Sequence, residues 1–302
     1  MKRLFLLSFC WIWQWSQAQA IELTLLGTAQ DAGAPQVGCL KSCCQNKWET
    51  HTAEAVVALG VVDPSAGKKY LFEVTPDFPQ QHHTFLKEEK NKTLDGIFVT
   101  HAHMGHYSGL MHLGKEAMGA LGVPVFVMPK MRAFLENNGP WSQLVEEKNI
   151  VLIPLENQKK VELTEGLKVT PLRVPHRDEY SETVGFRIEG KSKTALFIPD
   201  IDKWEKWETN IDSLLNEVDF AFLDATFYDK NELPGRDLSA IPHPFVVESL
   251  ERWKALPLSI KKKIYFIHFN HTNPLLDPHS EASKTVTQLG FNVARTGMKF
   301  VL

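Results

Sequence analysis

Residues 100–110 read THAHMGHYSGL and directly follow the apolar run Gly96-Ile97-Phe98-Val99. Three imidazoles, His101, His103 and His106, fall within six positions, with a glycine at 105 between the last two. A short apolar run that ends at once in clustered imidazoles reads as a buried strand delivering side chains to a loop at a sheet edge, where sites gather. One such cluster says little, because a lone histidine is more often a satisfied core or surface residue.

The pattern recurs along the chain. The run 167–174 ends at Pro175-His176, 195–198 at Pro199-Asp200, and 264–267 at His268. Four apolar strands, each followed by a metal-capable side chain, are hard to attribute to chance. His51, His82, His83, His112 and His279 lie outside this set and are read as ordinary surface or packing histidines.

The rest of the chain fits a sheet-rich domain. Residues 21–26, 55–62, 70–74, 96–100, 124–128, 167–174, 183–188, 195–198, 220–224 and 264–268 read as strands. Helical spacing is expected over 106–120, where Leu110, Leu113, Ala117 and Leu121 recur at three or four residues, and over 131–138, 244–253 and 278–289. A strand or two should end the chain. No Pro-, Gly- or Ser-rich linker divides it. Strands dominating both halves, with helices interleaved, predict an α+β architecture of stacked sheets flanked by helices, an αββα sandwich, in one domain. Segments 78–92 and 226–242 are expected to be loops over the site.

Composition narrows the class. The chain has 302 residues, 43% hydrophobic and 23% charged, which is ordinary globular usage. A net charge of −3 argues against a nucleic-acid binder working through bulk electrostatics, and no nucleic-acid partner is expected. Lys2 and Arg3, the apolar LFLLSFCWIWQW and Ala18-Gln19-Ala20 make 1–20 a candidate secretory signal peptide. The apolar stretch is shorter than the about 20 residues needed to span a bilayer, so no membrane anchor is expected after cleavage. Phe9 before Cys10 is too bulky for a lipoprotein site. The mature domain is expected to be 21–302, secreted or periplasmic.

Export makes the remaining cysteines informative. Cys39, Cys43 and Cys44 are odd in number, and a bond between adjacent cysteines would be strained. Free thiols in an oxidising compartment are a liability. Bound zinc, which favours four thiolate or imidazole ligands, would protect them if a fourth ligand came from elsewhere. One buried thiol plus an intermolecular disulfide is the alternative.

An HxHxxH after a strand, then His, Asp and His each after later strands, resembles the metallo-β-lactamase superfamily. The resemblance implies the αββα sandwich. It also implies His101, His103 and His176 on a first metal, Asp200 bridging, and His106 and His268 on a second. The superfamily usually has an aspartate where this chain has Gly105. That departure leaves the second site with His106, Asp200 and His268, and water filling the gap. LGTAQDAGAPQVGCLKSCC (26–44) is similar to the first loop of the cyclic-phosphate phosphodiesterases of phosphonate metabolism and of the coenzyme PQQ synthesis protein B family. In the phosphodiesterases that loop carries three cysteines on a structural zinc, with a histidine three residues after the last catalytic one. The resemblance therefore implies a site of Cys39, Cys43, Cys44 and His271, although Lys41 occupies the usual middle-cysteine position and Cys43 would substitute. FEVTPDFPQQ, FLDATFY and HFNHTNPLL resemble segments of the coenzyme PQQ synthesis protein B family, though that family tends to lose the first His pair that this chain keeps.

The chemistry these readings imply is hydrolysis of a small molecule, a phosphodiester or an ester or lactone, by a metal-bound hydroxide. Zinc is the default ion, one or two in the catalytic site and one structural. A bound metal lowers the pKa of water toward roughly 7. Asp200 would orient the nucleophile, and His243, in AIPHPF, is a candidate proton donor to the leaving group; a helix-start residue without a role is its other reading. Asp224 would orient a ligand histidine or cap a turn. Two alternatives stand beside hydrolysis: an iron site using oxygen, as the PQQ synthesis protein B resemblance implies, and a non-catalytic metal-binding relative.

Overall fold

The computed structural model describes residues 20–89 and 91–302. Residues 1–19 of the expected leader lie outside that range, and no described helix is long and apolar enough to cross a membrane. Fourteen strands form two seven-stranded sheets. In the first half of the chain run β1 (Glu22–Gly27), β2 (Ala58–Asp63), β3 (Lys68–Phe72), β4 (Gly96–Phe98), β5 (Val123–Val127), β6 (Ile150–Pro154) and β7 (Val161–Glu162). In the second run β8 (Lys168–Arg173), β9 (Val184–Glu189), β10 (Thr194–Ile198), β11 (Phe220–Asp224), β12 (Ile264–Ile267), β13 (Asn292–Val293) and β14 (Lys299–Val301). The first sheet has the order β14-β1-β2-β3-β4-β5-β6 and the second β13-β12-β11-β10-β9-β8-β7.

The sheets pack face to face because their inner positions are aromatic and aliphatic. Phe98 stacks between Phe72 and Phe126, with ring centroids 4.7 and 4.3 Å away, and Phe186 of the opposite sheet meets Phe72 and Phe98 edge-on at 5.4 and 5.5 Å. Such offset and edge contacts are the favourable aromatic geometries. Two further buried clusters sit under the helices outside each sheet. The outer layers exist because β4, β5, β6 and β10, β11, β12, β13 pair in parallel, and parallel strands need crossovers, mostly helical. The αββα sandwich is thus what the chain adopts.

Strand direction positions the site. β1 and β3 each run antiparallel to β2, and β4 is parallel to β3. β8 and β10 each run antiparallel to β9, and β11 and β12 follow β10. The C-terminal ends of β1, β3 and β4 therefore share one edge of their sheet, and those of β8, β10, β11 and β12 share one edge of theirs. Parallel-strand ends of this kind are where α/β scaffolds place sites.

Two local expectations need correction. Residues 106–120 are not one helix: Met104–Tyr107 is a single turn, followed by a 3-10 segment Ser108–Leu113. The backbone there is bonded elsewhere. Val74 donates its N–H to the His106 carbonyl at 3.0 Å, and Gly109 donates to the Val74 carbonyl at 2.9 Å. The carbonyl a longer helix would use is taken by the strand-end segment after β3. Segment 78–92 is not a loop over the site either. Phe78–Leu86 is a helix whose Phe78 and Leu86 are buried in the cluster outside the first sheet. Its start is set by Pro79 and by Thr75, whose carbonyl accepts from Phe78 N–H at 3.0 Å. β6, β7 and the helices Ser42–Thr50, Trp141–Glu146 and Ile211–Glu217 are additional elements the sequence reading did not mark.

Candidate metal centre

Every polar residue read at a strand end reaches one buried cluster. His101 and His103 follow β4, His176 follows β8, Asp200 follows β10 and His268 follows β12. Ligand-capable atoms of His101, His103, His176 and Asp200 all lie within 4.8 Å of one another, and so do those of Asp31, His106, Asp200 and His268. Asp200 belongs to both groups. Its Oδ2 is 3.3 Å from His101 Nε2, 3.3 Å from His106 Nε2 and 3.7 Å from His268 Nε2, while Oδ1 is 3.5 Å from His176 Nε2. His101 Nε2 and His103 Nδ1 converge to 2.8 Å.

The chemistry of these donors fits a metal. His106 Nε2, both ring nitrogens of His176, His268 Nε2, Asp200 Oδ1 and Asp31 Oδ1 are buried with no hydrogen-bond partner, a costly arrangement unless a cation takes them up. Burial holds the imidazole pKa of His101, His176 and His268 below its ordinary value, which keeps them neutral with a free lone pair. Burial alone would raise the Asp200 carboxyl, but the surrounding histidines, His176 foremost, hold it well below the ordinary range.

Partners outside the cluster fix the rings. The Thr100 hydroxyl sits 2.9 Å from His101 Nδ1, and Thr226 Oγ1 sits 2.9 Å from His268 Nδ1. Glu73 Oε1 lies 3.2 Å from His106 Nδ1, and Glu179 Oε2 lies 3.2 Å from His103 Nε2. Such outer contacts select the tautomer and orient the ligand nitrogen. His268 and Glu73 hold left-handed backbone, with φ of 68° and 71°. For residues with side chains this is strained and tends to be retained where a site requires it.

His243 is brought to the same centre. Its Nδ1 lies 2.9 Å from Asp224 Oδ2 and 3.1 Å from Asp200 Oδ1, and its ring packs 5.3 Å from that of His176. Burial opposes its charge, but the two carboxylates outweigh burial and push its pKa up to about 10. Asp224 caps a turn, one of the two roles foreseen for it, and the imidazole it holds is that of His243 rather than one expected on the metal. Oδ1 accepts from the Thr226 amide and hydroxyl at 2.9 and 2.7 Å, closing a turn, while Oδ2 accepts from the Ile201 amide and holds His243.

A carboxylate lies in the gap expected beside Gly105. Asp31, from the loop after β1, places Oδ1 3.2 Å from His106 Nε2. This carboxylate is not among the donors expected from the sequence. Its signal was available, since Asp31 also follows an apolar strand end, and Glu73 directly follows β3 in the same way.

The cysteine cluster assembles as well. Cys39, Cys43, Cys44 and His271 offer ligand atoms within 4.8 Å of one another, and all three thiols are free. Cys43 and Cys44 stand in the first turn of the helix Ser42–Thr50, where exposed N–H groups favour thiolates. The Gln36 amide donates to Cys44 Sγ at 3.2 Å. Burial and the neighbouring thiols push the Cys43 pKa up to about 12, the penalty expected of crowded thiolates without a cation between them.

Open clefts flank the centre. One, on the His176 side, is lined by Asn157, Arg173, Asp178, Lys206 and Trp207. The other, on the Asp31 side, is lined by Gln30, Lys41, Phe227, Glu232, Arg236 and His271. The segment 226–242, with only two short 3-10 turns, borders this second cleft.

Comparison with known proteins agrees with this geometry. Residues 61–269 match the β-lactamase superfamily domain. Curated relatives include coenzyme PQQ synthesis protein B from Methylobacillus flagellatus, 23% identical with 93% of this chain and 100% of the relative covered. The same-named protein from Klebsiella pneumoniae is 26% identical, covering 93% and 98%. Zinc-bound PqqB from Methylobacterium extorquens shares the fold with a TM-score of 0.76 at 20% identity, covering 93% of this chain and all of that one. A diphosphatase of the PhnP family shares it at 0.69 and 23% identity, covering 94% and 98%. The two-sheet sandwich, the donor residues at its strand ends and the matched domain together place this chain in the metallo-β-lactamase superfamily.

Proposed function

We propose that the protein is a metal-dependent hydrolase of a small phosphodiester or ester substrate. The observation that carries this reading is the convergence of buried, unpartnered His and Asp donors on two adjoining points that share Asp200. His101, His103, His176 and Asp200 would hold one ion, and His106, Asp200 and His268 the other. Zinc in these positions supplies a Lewis acid that lowers the pKa of water toward about 7 and polarises an electrophile's oxygen.

This chain's own residues supply the rest. Asp200, anchored between the clusters, would orient the attacking water. His243, which stands beside His176, is favoured in its protonated form by the Asp224 and Asp200 carboxylates beside its Nδ1. It is therefore suited to donate that proton to a leaving oxygen. Lys41 and Arg236 on the Asp31-side cleft, and Arg173 and Lys206 on the other, would draw an anionic substrate toward the centre. A diphosphatase among the fold neighbours supports a phosphorus-centred substrate. The Cys39, Cys43, Cys44 and His271 cluster would hold a structural zinc that ties the first loop to the segment after β12. An exported setting belongs to this reading and rests on residues 1–20 of the sequence.

The test is hydrolysis of bis(p-nitrophenyl) phosphate and of p-nitrophenyl esters and lactones by zinc-reconstituted protein. Turnover that disappears in Asp200→Asn supports the reading, and no turnover of any of these substrates by wild type counts against it. A second reading is an iron site using oxygen, which the resemblance to the coenzyme PQQ synthesis protein B family implies. Iron retained after anaerobic purification, with oxygen consumption, would select it.

A further inference from the structure

The loop after β1 and the turn beginning at Met104 meet at a single point. A Cβ built on Gly105 would stand 2.3 Å from the Asp31 Cα, 2.5 Å from its Oδ1 and 3.0 Å from its Cβ. No side chain sits that close to backbone, so residue 105 can carry none while the loop holds this course. The space in which an aspartate at 105 would begin is filled by Asp31.

The Asp31 carboxylate is also aimed. Oδ1 is buried, lies 3.2 Å from His106 Nε2 and makes no aligned hydrogen bond, whereas Oδ2 accepts from Gln30 Nε2 at 3.3 Å. Together with His106, Asp200 and His268 it completes a set of two imidazoles and two carboxylates, all within 4.8 Å. Three protein ligands there would leave a buried carboxylate oxygen unpaired. Four make a closed donor set of the composition zinc accepts.

We infer that Asp31 is the fourth protein ligand of the second metal site, a carboxylate delivered from the β1 loop, and that glycine at 105 is what admits it. The inference rests on the two-metal reading of the centre. The two positions form an exchange: a side chain at 105 would exclude the Asp31 loop, and loss of the Asp31 carboxylate leaves the site one ligand short.

Zinc and manganese uptake by the full chain, measured by equilibrium dialysis and elemental mass spectrometry, tests this without reference to activity. In Asp31→Ala the first site and the cysteine cluster should load as in wild type, while affinity at the second site falls about ten-fold or more, the scale on which even outer-sphere partners act. The near-isosteric Asp31→Asn, which keeps the loop's packing but not the carboxylate, should lose most of that affinity as well. Unchanged uptake by Asp31→Ala overturns the assignment alone and leaves Asp31 as a counter-charge to His106. Loss in Asp31→Ala that Asp31→Asn does not share also overturns it, since the loss would then belong to the loop. A wild type that takes up no metal at its histidines overturns the two-metal reading and this inference with it.

Discussion

At the scale of single residues, the centre is governed by which carboxylate faces which imidazole. Asp224 illustrates this, because one oxygen is spent on the turn at Thr226 and the other on His243. His243→Gln keeps the ring's approximate size but cannot hold a mobile proton. It should lower kcat by about 100-fold or more on substrates with poor leaving groups, leave metal content unchanged, and matter far less for p-nitrophenyl leaving groups. Steady-state kinetics beside elemental analysis checks this. The same scale shows what was legible in the sequence. His101, His103, His106, His176, Asp200 and His268 could be read because each follows an apolar strand, and the fold brings all of them together. Asp31 also follows an apolar strand, in the loop after β1, but the HxHxxH spacing does not point to it. A ligand supplied from another strand leaves no trace in local spacing; it follows only from the close approach of two backbones.

Elements carry the residues, and their boundaries follow backbone hydrogen bonds more than side-chain periodicity. Most strands read from the sequence are present, since a run such as 220–224 has no other way to bury so much apolar surface. Leu110 and Leu113 repeat at helical spacing, which suggests a long helix after His103, but the backbone of His106 and Gly109 is bonded to Val74 instead. Gly109 marks the reason. A Cβ there would meet the Thr75 carbonyl oxygen at 2.1 Å, so Gly109→Ala should destabilise the fold by about 1–3 kcal/mol and weaken metal binding at His106. Urea unfolding and metal titration read both effects. The helix Ser42–Thr50 is a second case, for its first turn holds two of the three cysteines. Cys44→Ser and His271→Ala should each release one zinc while the histidine centre stays loaded, as elemental analysis would report.

Across the whole molecule, the two sheets place their site-bearing strand ends along one edge, and an aromatic core holds those edges in register. Phe98 lies at the middle of that core and three residues before His101, so packing and ligand geometry are linked through β4. A molecule that buries so many charged and unpartnered donors should depend on metal for stability. Binding to the folded state at about 100 times Kd contributes roughly 2.7 kcal/mol. Chelation should therefore lower Tm by about 5 °C or more, reversibly on adding zinc, as differential scanning calorimetry can measure. The sandwich itself was legible, because alternating strands and helices without a linker admit few other layer arrangements. The most direct measurement is metal content per chain in wild type and His101→Ala, both purified without added metal. The variant should carry about one metal fewer while keeping the cysteine-bound zinc and the wild-type circular dichroism. A variant that holds as much metal as wild type would contradict the metal-centre reading.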